Sequence, residues 1–239
     1  MSDKPGTGKF ALITGASGGI GEEFAKLLAA EGYQLVIVAR NDDQLNRVAG
    51  ILTTKHQATV TPIALDLSKA NSAKHLQEEL RTRGFSPDVA INNAGFGICG
   101  HTLDTPVEDY LNMIDLNVRS VTELSLQLLP AMLQRKRGGI LNVASLASYV
   151  PGPYMATYHA SKAYVLSFTE GLASEYAGSG VTISALCPGY VMTGFQGRAH
   201  MENNRFIKFA PKLTAQEVAT MAWDSFKRGE RIIIPGTPN

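Results

Sequence analysis

The sequence has little cysteine, almost no net charge and no long apolar run. Its only cysteines among 239 residues are Cys99 and Cys187, too few for a disulfide framework. We therefore predict two inert packing residues in a protein of the reducing cytoplasm. A net charge of +1 supplies no field that would attract nucleic acid or an anionic membrane. No apolar stretch approaches the length of a membrane span, and the first residues lack a secretory signal. We expect neither a nucleic-acid partner nor a membrane span.

The apolar residues form short runs that alternate with helix-length segments. Six runs are apolar on both faces, which is typical of buried parallel strands. They span residues 10–14, 34–39, 59–64, 89–92, 139–143 and 181–186. Parallel strands need crossover connections, so the alternation predicts a doubly wound parallel α/β sheet with helices on both faces. No linker or repeat divides the chain, and residues 1–239 are predicted to form a single domain.

A glycine-rich turn lies where the first predicted strand ends and the first helix begins. Gly15 permits a tight turn, Gly19 lets the backbone approach a pyrophosphate, and Gly21 lets the helix pack closely on the sheet. The free N–H groups and the dipole at the helix start face the bound anion. The turn therefore predicts a dinucleotide site; a flexible turn that happens to be rich in glycine is the alternative.

The end of the second predicted strand bears on which dinucleotide is bound. NAD-binding folds place a carboxylate there for the adenosine ribose, whereas this chain has Ala39 followed by Arg40. A guanidinium binds a phosphate bidentately, so Arg40 favours the 2′-phosphate of NADP(H) over NAD(H). The alternative is a solvated arginine at a strand end. Asp42 and Asp43 are expected to begin the next helix, where acids suit the helix dipole.

Tyr158 and Lys162 are four residues apart in a segment, residues 155–176, predicted to be a long helix. This spacing places both side chains on one helix face, about 5.4 Å apart along the axis. An ammonium group beside a tyrosine stabilises the phenolate and lowers its pKa toward the range useful for general acid–base catalysis. Ser145 follows the fifth predicted strand, where its hydroxyl could bind a substrate oxygen. A solvated Tyr–Lys pair is the alternative if the pair is taken alone.

Together these features resemble the short-chain dehydrogenase/reductase family in order and spacing, over about residues 8 to 235. The residues that carry the resemblance are those of the turn at 14–21, residues 92–95, Asn117, Ser145, Tyr158, Lys162, Pro188 and Gly189. The resemblance implies a single Rossmann-like domain with a mostly parallel, seven-stranded sheet. It also implies reversible, NADPH-dependent reduction of a ketone, aldehyde or 3-oxoacyl group to an alcohol by hydride transfer.

The resemblance also implies a role for each matching residue. Tyr158 would be the general acid or base, and Lys162 would lower its pKa and bind the nicotinamide ribose. Ser145 would orient the substrate oxygen, and Asn117 would hold a helix distortion and a water that links Lys162 to solvent. The cofactor contacts would be Gly15, Ser17, Gly18, Gly19, Ile20, Gly21, Arg40, Asp66, Leu67, Asn92, Ala94, Gly95, Tyr158, Lys162, Pro188, Gly189, Val191 and Thr193. Asn92 would steady the central sheet as well, and Asp66 would accept from the adenine amino group.

Two segments that flank these residues are candidates for the substrate site. Residues 148–154 contain two prolines that stiffen the connection between Ser145 and Tyr158. Residues 194–213 contain several large apolar side chains and are predicted to be a lid over a partly hydrophobic small-molecule substrate. A surface or subunit-contact helix pair is an equal alternative for residues 194–213. Similar proteins form homodimers or homotetramers through helices such as those predicted at 107–134 and 155–177.

The remaining polar residues add no second chemistry. His159 is rotated by about 100° from the helix face of Tyr158, and His101 lies in a loop, so neither is predicted to be catalytic. No histidine, cysteine and aspartate cluster has metal-ligand spacing, and we predict no metal. A non-catalytic NADP-binding sensor, and a dehydratase or isomerase that uses the cofactor transiently, remain as alternative functions.

Overall fold

The computed structural model describes residues 4–192 and 213–236 of the chain. Strands and helices alternate along it. The strands are β1 (Phe10–Thr14), β2 (Gln34–Ala39), β3 (Val60–Ala64), β4 (Val89–Asn92), β5 (Gly138–Val143), β6 (Val181–Leu186), β7 (Val191–Met192), β8 (Leu213–Thr214) and β9 (Ile232–Ile233). The helices are α1 (Gly19–Ala30), α2 (Asp42–His56), α3 (Ser72–Thr82), α4 (Val107–Ile114), α5 (Ser120–Arg135), α6 (Ala156–Glu175) and α7 (Ala215–Lys227).

Seven of the strands form one sheet in the order β3-β2-β1-β4-β5-β6-β9. All of its neighbouring strands are parallel, so the predicted seven-stranded, doubly wound α/β fold is confirmed. The chain builds outward from β1 to β3, then crosses to β4 and builds outward in the other direction. The strand order therefore reverses between β1 and β4, the position where such sheets bind ligands beyond the carboxyl ends of their strands.

The core lies on both faces of the sheet because the central strands are apolar on both sides. Along β1, Ala11 and Ile13 pack into one buried cluster with α1, α2 and α7, while Leu12 packs into the other with α3, α5 and α6. Apolar residues four positions apart on the helices lie in these clusters: Phe24 and Leu28 of α1 and Leu76 and Leu80 of α3 are buried. Helices therefore cover both faces of the sheet, as the pattern predicted.

Strand β3 corrects the expectation that all six predicted strands are fully buried. It forms the edge of the sheet, and only Ile63 of its five residues is buried. Its central Pro62 has no N–H to donate, and a proline is tolerated where one side of a strand has no partner. The apolar run at 59–64 thus identified a strand but not its exposure.

Two further observations concern the helices. Asp42 and Asp43 occupy the first turn of α2, as predicted, and the side chain of Asn41 caps the helix by accepting from Gln44 N at 2.8 Å. The long helix predicted at 107–134 is divided by a π-helical turn at Asp115–Arg119 that separates α4 from α5.

Within the ranges that the structure describes, no helix combines the length and hydropathy needed to cross a bilayer.

Candidate active site

A cavity of about 940 Å³ opens at the carboxyl ends of the central strands, where the strand order reverses. Thr14 at the end of β1 is bonded to the loop that follows β4. Its Oγ1 accepts hydrogen bonds from Asn93 N and Ala94 N, both at 3.0 Å. Most of the residues predicted from the sequence line this one cavity. They are Gly15, Ser17, Gly18, Gly19, Ile20, Arg40, Leu67, Ala94, Gly95, Ser145, Tyr158, Lys162, Pro188, Gly189 and Val191.

The glycine-rich turn is shaped by close backbone contacts. Gly15 has φ +67°, and a Cβ there would lie 2.7 Å from Asn93 Nδ2 and 2.9 Å from Ala94 Cα. Gly21 does not line the cavity; it is buried, and a Cβ there would overlap the carbonyl oxygen of Gly15. Gly21 thus packs against the backbone of the turn, and its contact with a cofactor stays a prediction. Gly18 caps α1 without a side chain, so no side chain occupies the first N–H groups of the helix.

The far end of the cavity carries Arg40, which follows β2 and is exposed. Arg40 makes no hydrogen bond or ion pair with any residue in the described parts of the chain, so its guanidinium is available to a ligand. Asp66, for which the resemblance predicts a contact with the adenine, does not line the cavity, and that contact stays a prediction. Its Oδ1 accepts from the N–H and hydroxyl of Ser68 at 3.0 and 2.7 Å. Burial acts to raise the pKa of Asp66, but these bonds and the charges of Arg40 and Lys69 outweigh it and lower the pKa.

A second arginine near Arg40 was missed from the sequence. Arg47 of α2 lines the same end of the cavity and pairs with Glu22 of α1, Nη2 to Oε2, at 3.0 Å. Glu22 also pairs with Lys26 at 2.9 Å. Burial acts to raise the pKa of Glu22, and the bonds from Lys26 and Arg47 outweigh it, so that the pKa is lowered. Arg47 belongs to no motif, and only the packing of α1 against α2 reveals its position.

Asn92 is another predicted cofactor contact whose side chain does not line the cavity. Its side chain is buried behind the cavity, where Nδ2 donates to Asn142 Oδ1 at 2.8 Å and to Ser125 Oγ at 3.2 Å. Asn142 in turn donates to Thr169 Oγ1 at 3.0 Å. Asn92 thus connects β4 to β5 and α5 and does not line the cavity. A strand-end asparagine gives no sign in the sequence of whether it faces a ligand or the sheet.

Asn117 lies in the π-helical turn, where the resemblance placed a helix distortion. Its amide is buried and accepts from Phe96 N at 3.1 Å while donating to Phe96 O at 2.9 Å and to Ser161 Oγ at 3.0 Å. A Cβ on Gly95 would lie 3.0 Å from Asn117 Oδ1 and 3.4 Å from Lys162 Nζ. Asn117 therefore fixes the loop at residues 95–96 directly over Lys162, although it does not line the cavity itself.

Ser145, Tyr158 and Lys162 meet at the centre of the cavity. Ser145 lies just after the end of β5, and its side chain is hydrogen-bonded with that of Tyr158. Lys162 lies on the same face of α6 as Tyr158, with Nζ 6.0 Å from the centre of the tyrosine ring. The buried ammonium donates to the carbonyl oxygen of Val143 at 2.8 Å. One hydroxyl, one phenol and one ammonium thus face a single cavity.

The pKa values of this pair differ from the sequence expectation. Burial raises the pKa of Tyr158, and the hydrogen bond with Ser145 only partly opposes it. The net shift of the Tyr158 pKa is therefore upward, opposite to the direction expected from an adjacent ammonium, whose hydrogen bond goes to the Val143 carbonyl. Burial also lowers the pKa of Lys162 to about 8. The cost of charging a group away from water therefore dominates at both residues.

Beside Ser145 the cavity wall is apolar. Leu146, Val150, Met155 and Val191 line it, and Leu146 and Val150 remain 43% and 56% exposed. His159 also lines the cavity, whereas His101 does not and packs edge-on against Tyr154 at 4.9 Å. Thr193 and the predicted lid up to residue 212 lie outside the described residues. No group of three or more histidine, cysteine, aspartate or glutamate side chains is placed to hold a metal ion in the described ranges.

The fold is a doubly wound α/β sheet, and one cleft at its switch point holds a glycine-rich turn together with a serine, a tyrosine and a lysine. The sequence profile described as short chain dehydrogenase matches residues 9–204. The chain therefore belongs to the short-chain dehydrogenase/reductase family of oxidoreductases.

Among its relatives is the very-long-chain 3-oxoacyl-CoA reductase of Anas platyrhynchos, which is 34% identical over 195 residues. The match covers 79% of this chain and 62% of that protein, so the chain spans about three fifths of this relative. A short-chain dehydrogenase from Sphingobium yanoikuyae, solved in complex with NADPH, superposes with a TM-score of 0.89. It is 30% identical, and the match covers 97% of this chain and 89% of that one.

A second solved structure was determined with the other dinucleotide. It is a short chain dehydrogenase/reductase from Burkholderia phymatum in complex with NAD, with a TM-score of 0.86 and 28% identity. The match covers 99% of this chain and 91% of that one. The fold of this chain is thus shared by a protein that holds NADPH and by one that holds NAD.

Proposed function

We propose that the protein is an NADPH-dependent carbonyl reductase that converts a partly hydrophobic ketone, aldehyde or 3-oxoacyl group to an alcohol, reversibly. One observation carries the proposal. Ser145, Tyr158 and Lys162 face the same cavity that begins at the glycine-rich turn and ends at Arg40. A cavity with this layout has room for a dinucleotide beside a substrate, with a proton donor at the point where they meet.

The residues present fit a nicotinamide dinucleotide. The uncapped start of α1 offers N–H groups to the pyrophosphate, and nothing lies within 4 Å of a Cβ built on Gly18, so the approach is open. Arg40 and Arg47 would hold the adenosine 2′-phosphate, and Leu67 would contact the adenine. Lys162 would bind the nicotinamide ribose, and Ala94, Gly95, Pro188, Gly189 and Val191 would enclose the nicotinamide. When bound, the reduced cofactor supplies the hydride.

Tyr158 is the proton donor in this proposal. Burial raises the pKa of its phenol, which keeps it protonated at neutral pH, the state that a carbonyl reduction requires. Ser145 binds the substrate oxygen beside the phenol and stabilises the charge that develops on it. Lys162 places a positive charge 6.0 Å from the tyrosine ring, which favours the phenolate left after proton transfer.

Turnover of a carbonyl panel with NADPH and with NADH tests the proposal. We expect NADPH oxidation that requires a carbonyl, and a loss of about 10² to 10⁴ in rate for Tyr158→Phe, the usual contribution of one general acid. Tyr164→Phe is the matched control, because Tyr164 lies on α6 outside the cavity and bonds Thr122 Oγ1 at 3.0 Å. Retained turnover in Tyr158→Phe would exclude Tyr158 as the acid. Tight NADPH binding without turnover of any carbonyl would favour the sensor.

We also propose that the chain forms a homodimer or homotetramer. Helix α4 presents an apolar stripe to solvent, in which Val107, Leu111 and Ile114 are 64%, 53% and 39% exposed. These residues follow one another at four- and three-residue steps, so they share one face of the helix. A contiguous apolar patch of this kind is typical of an association surface.

We further propose a reducing, cytoplasmic location. Both cysteines are free thiols, which supports it.

A further inference from the structure

Residues 146–155 form one wall of the cavity beside Ser145. Leu146, Val150 and Met155 line the cavity from this segment. Apolar side chains that remain exposed in a cavity are suited to the apolar part of a ligand. The shape of the segment therefore decides where these side chains stand relative to Ser145 and Tyr158.

His159 holds this wall by a hydrogen bond. Its Nδ1 lies 2.7 Å from the carbonyl oxygen of Val150. A carbonyl oxygen only accepts, so Nδ1 carries the proton and donates to it. His159, the residue after Tyr158 on α6, thus connects the helix to Val150 in the middle of the segment.

Gly152 provides the second contact with His159. A Cβ built on Gly152 would overlap the imidazole ring, so the ring packs directly on the backbone of Gly152. Any larger residue at this position must displace the ring or the segment. Because Pro151 and Pro153 restrict the backbone on either side, the imidazole fits a stiff, preformed surface.

The far end of the segment is anchored independently. Tyr154 has φ +64°, a left-handed conformation that a bulky residue adopts only where its surroundings enforce it. Its carbonyl oxygen accepts from Gly100 N at 2.9 Å, and its ring packs edge-on against His101 at 4.9 Å. Between Tyr154 and Ser148, whose Oγ donates to the Lys162 carbonyl at 2.8 Å, His159 is the contact made to Val150 and Gly152.

We propose that His159 is a positioning residue: it holds residues 146–155 as the apolar wall of the substrate site and so sets the KM for apolar carbonyl substrates. The inference rests on the proposed carbonyl reduction. It assigns His159 no proton transfer. The imidazole donates to Val150 and packs on Gly152, and through the position of Val150 it determines how well the apolar part of a substrate is enclosed.

Steady-state kinetics of His159→Ala with two ketones test this role. For an aryl alkyl ketone we expect KM to rise about tenfold, the lower end of the discrimination that one methylene contact gives in an apolar pocket. For acetone, which is too small to reach the wall, KM should change by less than about twofold. The Kd for NADPH and the kcat should stay within about threefold, since neither depends on the wall. His75→Ala, at an exposed histidine of α3, is the matched control.

A double-mutant cycle separates this contact from a general loss of structure. Gly152→Ala alone displaces the imidazole and should raise the KM for the aryl ketone as His159→Ala does. In Gly152→Ala/His159→Ala the added methyl no longer meets a ring, so the double variant should be no worse than His159→Ala. Such strong non-additivity is expected only for groups in contact. Additive effects of the two substitutions on KM would overturn the inference.

Two further results separate the inference from the proposed function. An unchanged ratio of the two KM values in His159→Ala would overturn the inference while leaving carbonyl reduction intact. If the wild-type protein turns over no carbonyl, the proposed function fails. Saturation-transfer NMR of the aryl ketone with NADP⁺-loaded protein then decides the inference. Weaker binding to His159→Ala than to the wild-type protein supports it, and equal binding overturns it.

Discussion

The ammonium group of Lys162 donates a 2.8 Å hydrogen bond to the carbonyl oxygen of Val143, and it does so while buried next to Tyr158. A buried ammonium with one hydrogen bond is poorly solvated, which is why burial lowers its pKa to about 8. Lys162, which the proposed chemistry requires, therefore lowers the free energy of unfolding. A trade-off of this kind between stability and function is common at active sites.

Lys162→Met is predicted to stabilise the protein while abolishing turnover. At about pH 7 we expect the free energy of unfolding to rise by about 1–2 kcal/mol, because a buried charge is replaced by an apolar chain of similar length. Part of the gain is lost because the Val143 carbonyl loses its donor. Denaturant unfolding measures the change, and Lys74→Met, at an exposed position of α3, is the control.

The pH dependence of this gain has a definite sign. Between about pH 8 and 10.5 the unfolded wild-type chain holds a proton on Lys162 that the folded chain has released. Wild-type stability must therefore rise with pH through this window relative to Lys162→Met, and the advantage of the variant should shrink. An advantage that stays constant from pH 7 to pH 10 would contradict burial of the charge as its cause.

The rate of carbonyl reduction should fall as the pH rises through about 8. Lys162 loses its positive charge near this pH, whereas burial keeps the phenol of Tyr158 protonated well above it. We expect kcat/KM to be level below about pH 7 and to fall by about one decade per pH unit above the break. In Lys162→Arg, whose guanidinium stays charged, the break should disappear even if the rate is lower. A wild-type break that comes only above the ordinary tyrosine pKa of about 10 would assign the titration to Tyr158 instead.

The sequence was sufficient for six strands of the sheet because the apolar pattern of a strand is local, and the need for crossover connections predicted their parallel, doubly wound arrangement. Strands β1, β2, β4 and β6 begin and end at the predicted residues. The edge position of β3 was missed, since an apolar run does not show which neighbours cover it. The π-helical turn at Asn117 was expected only by resemblance, because no residue pattern around it distinguishes it from an ordinary helical turn.

At the site, the sequence predicted well which residues lie near the cavity. It predicted less well which of them line it. Glycines and residues at strand ends are drawn to one edge by the topology, and Gly15, Arg40 and Ser145 line the cavity as expected. Asn92 and Asp66 lie near that edge, but their side chains bond to other residues, which depends on rotamers and local partners. Gly21 has no side chain and packs against the Gly15 carbonyl. Arg47 and the contact between His159 and Gly152 join residues with no shared motif, so only packing reveals them.

Leu111→Lys on α4 is predicted to weaken self-association. The substitution places a charge in the middle of the exposed apolar stripe, where it would have to be desolvated in any interface built on this face. Light scattering at several protein concentrations should show a smaller mass for this variant than for the wild-type protein. Leu103→Lys is the control, because Leu103 is 97% exposed but lies outside α4. An unchanged mass would place the interface on another surface.

Arg40 and Arg47 are predicted to select NADPH, with unequal shares. Arg40 makes no ion pair with the described residues, whereas Arg47 is already paired with Glu22 at 3.0 Å, so Arg40 should carry most of the selectivity. We expect Arg40→Gln to weaken 2′,5′-ADP binding by about ten- to a hundredfold, the value of a charge-assisted hydrogen bond, and Arg47→Gln by only a few-fold. Neither substitution should weaken the binding of 5′-AMP, which lacks the 2′-phosphate. Calorimetry with both ligands measures this, and Arg81→Gln, at an exposed position of α3, is the matched control.

Two outcomes would contradict this prediction. If the wild-type protein binds 2′,5′-ADP and 5′-AMP equally well, the proposed NADPH preference is wrong. If only Arg47→Gln has an effect, the ion pair with Glu22 marks the phosphate site and Arg40 is a solvated arginine.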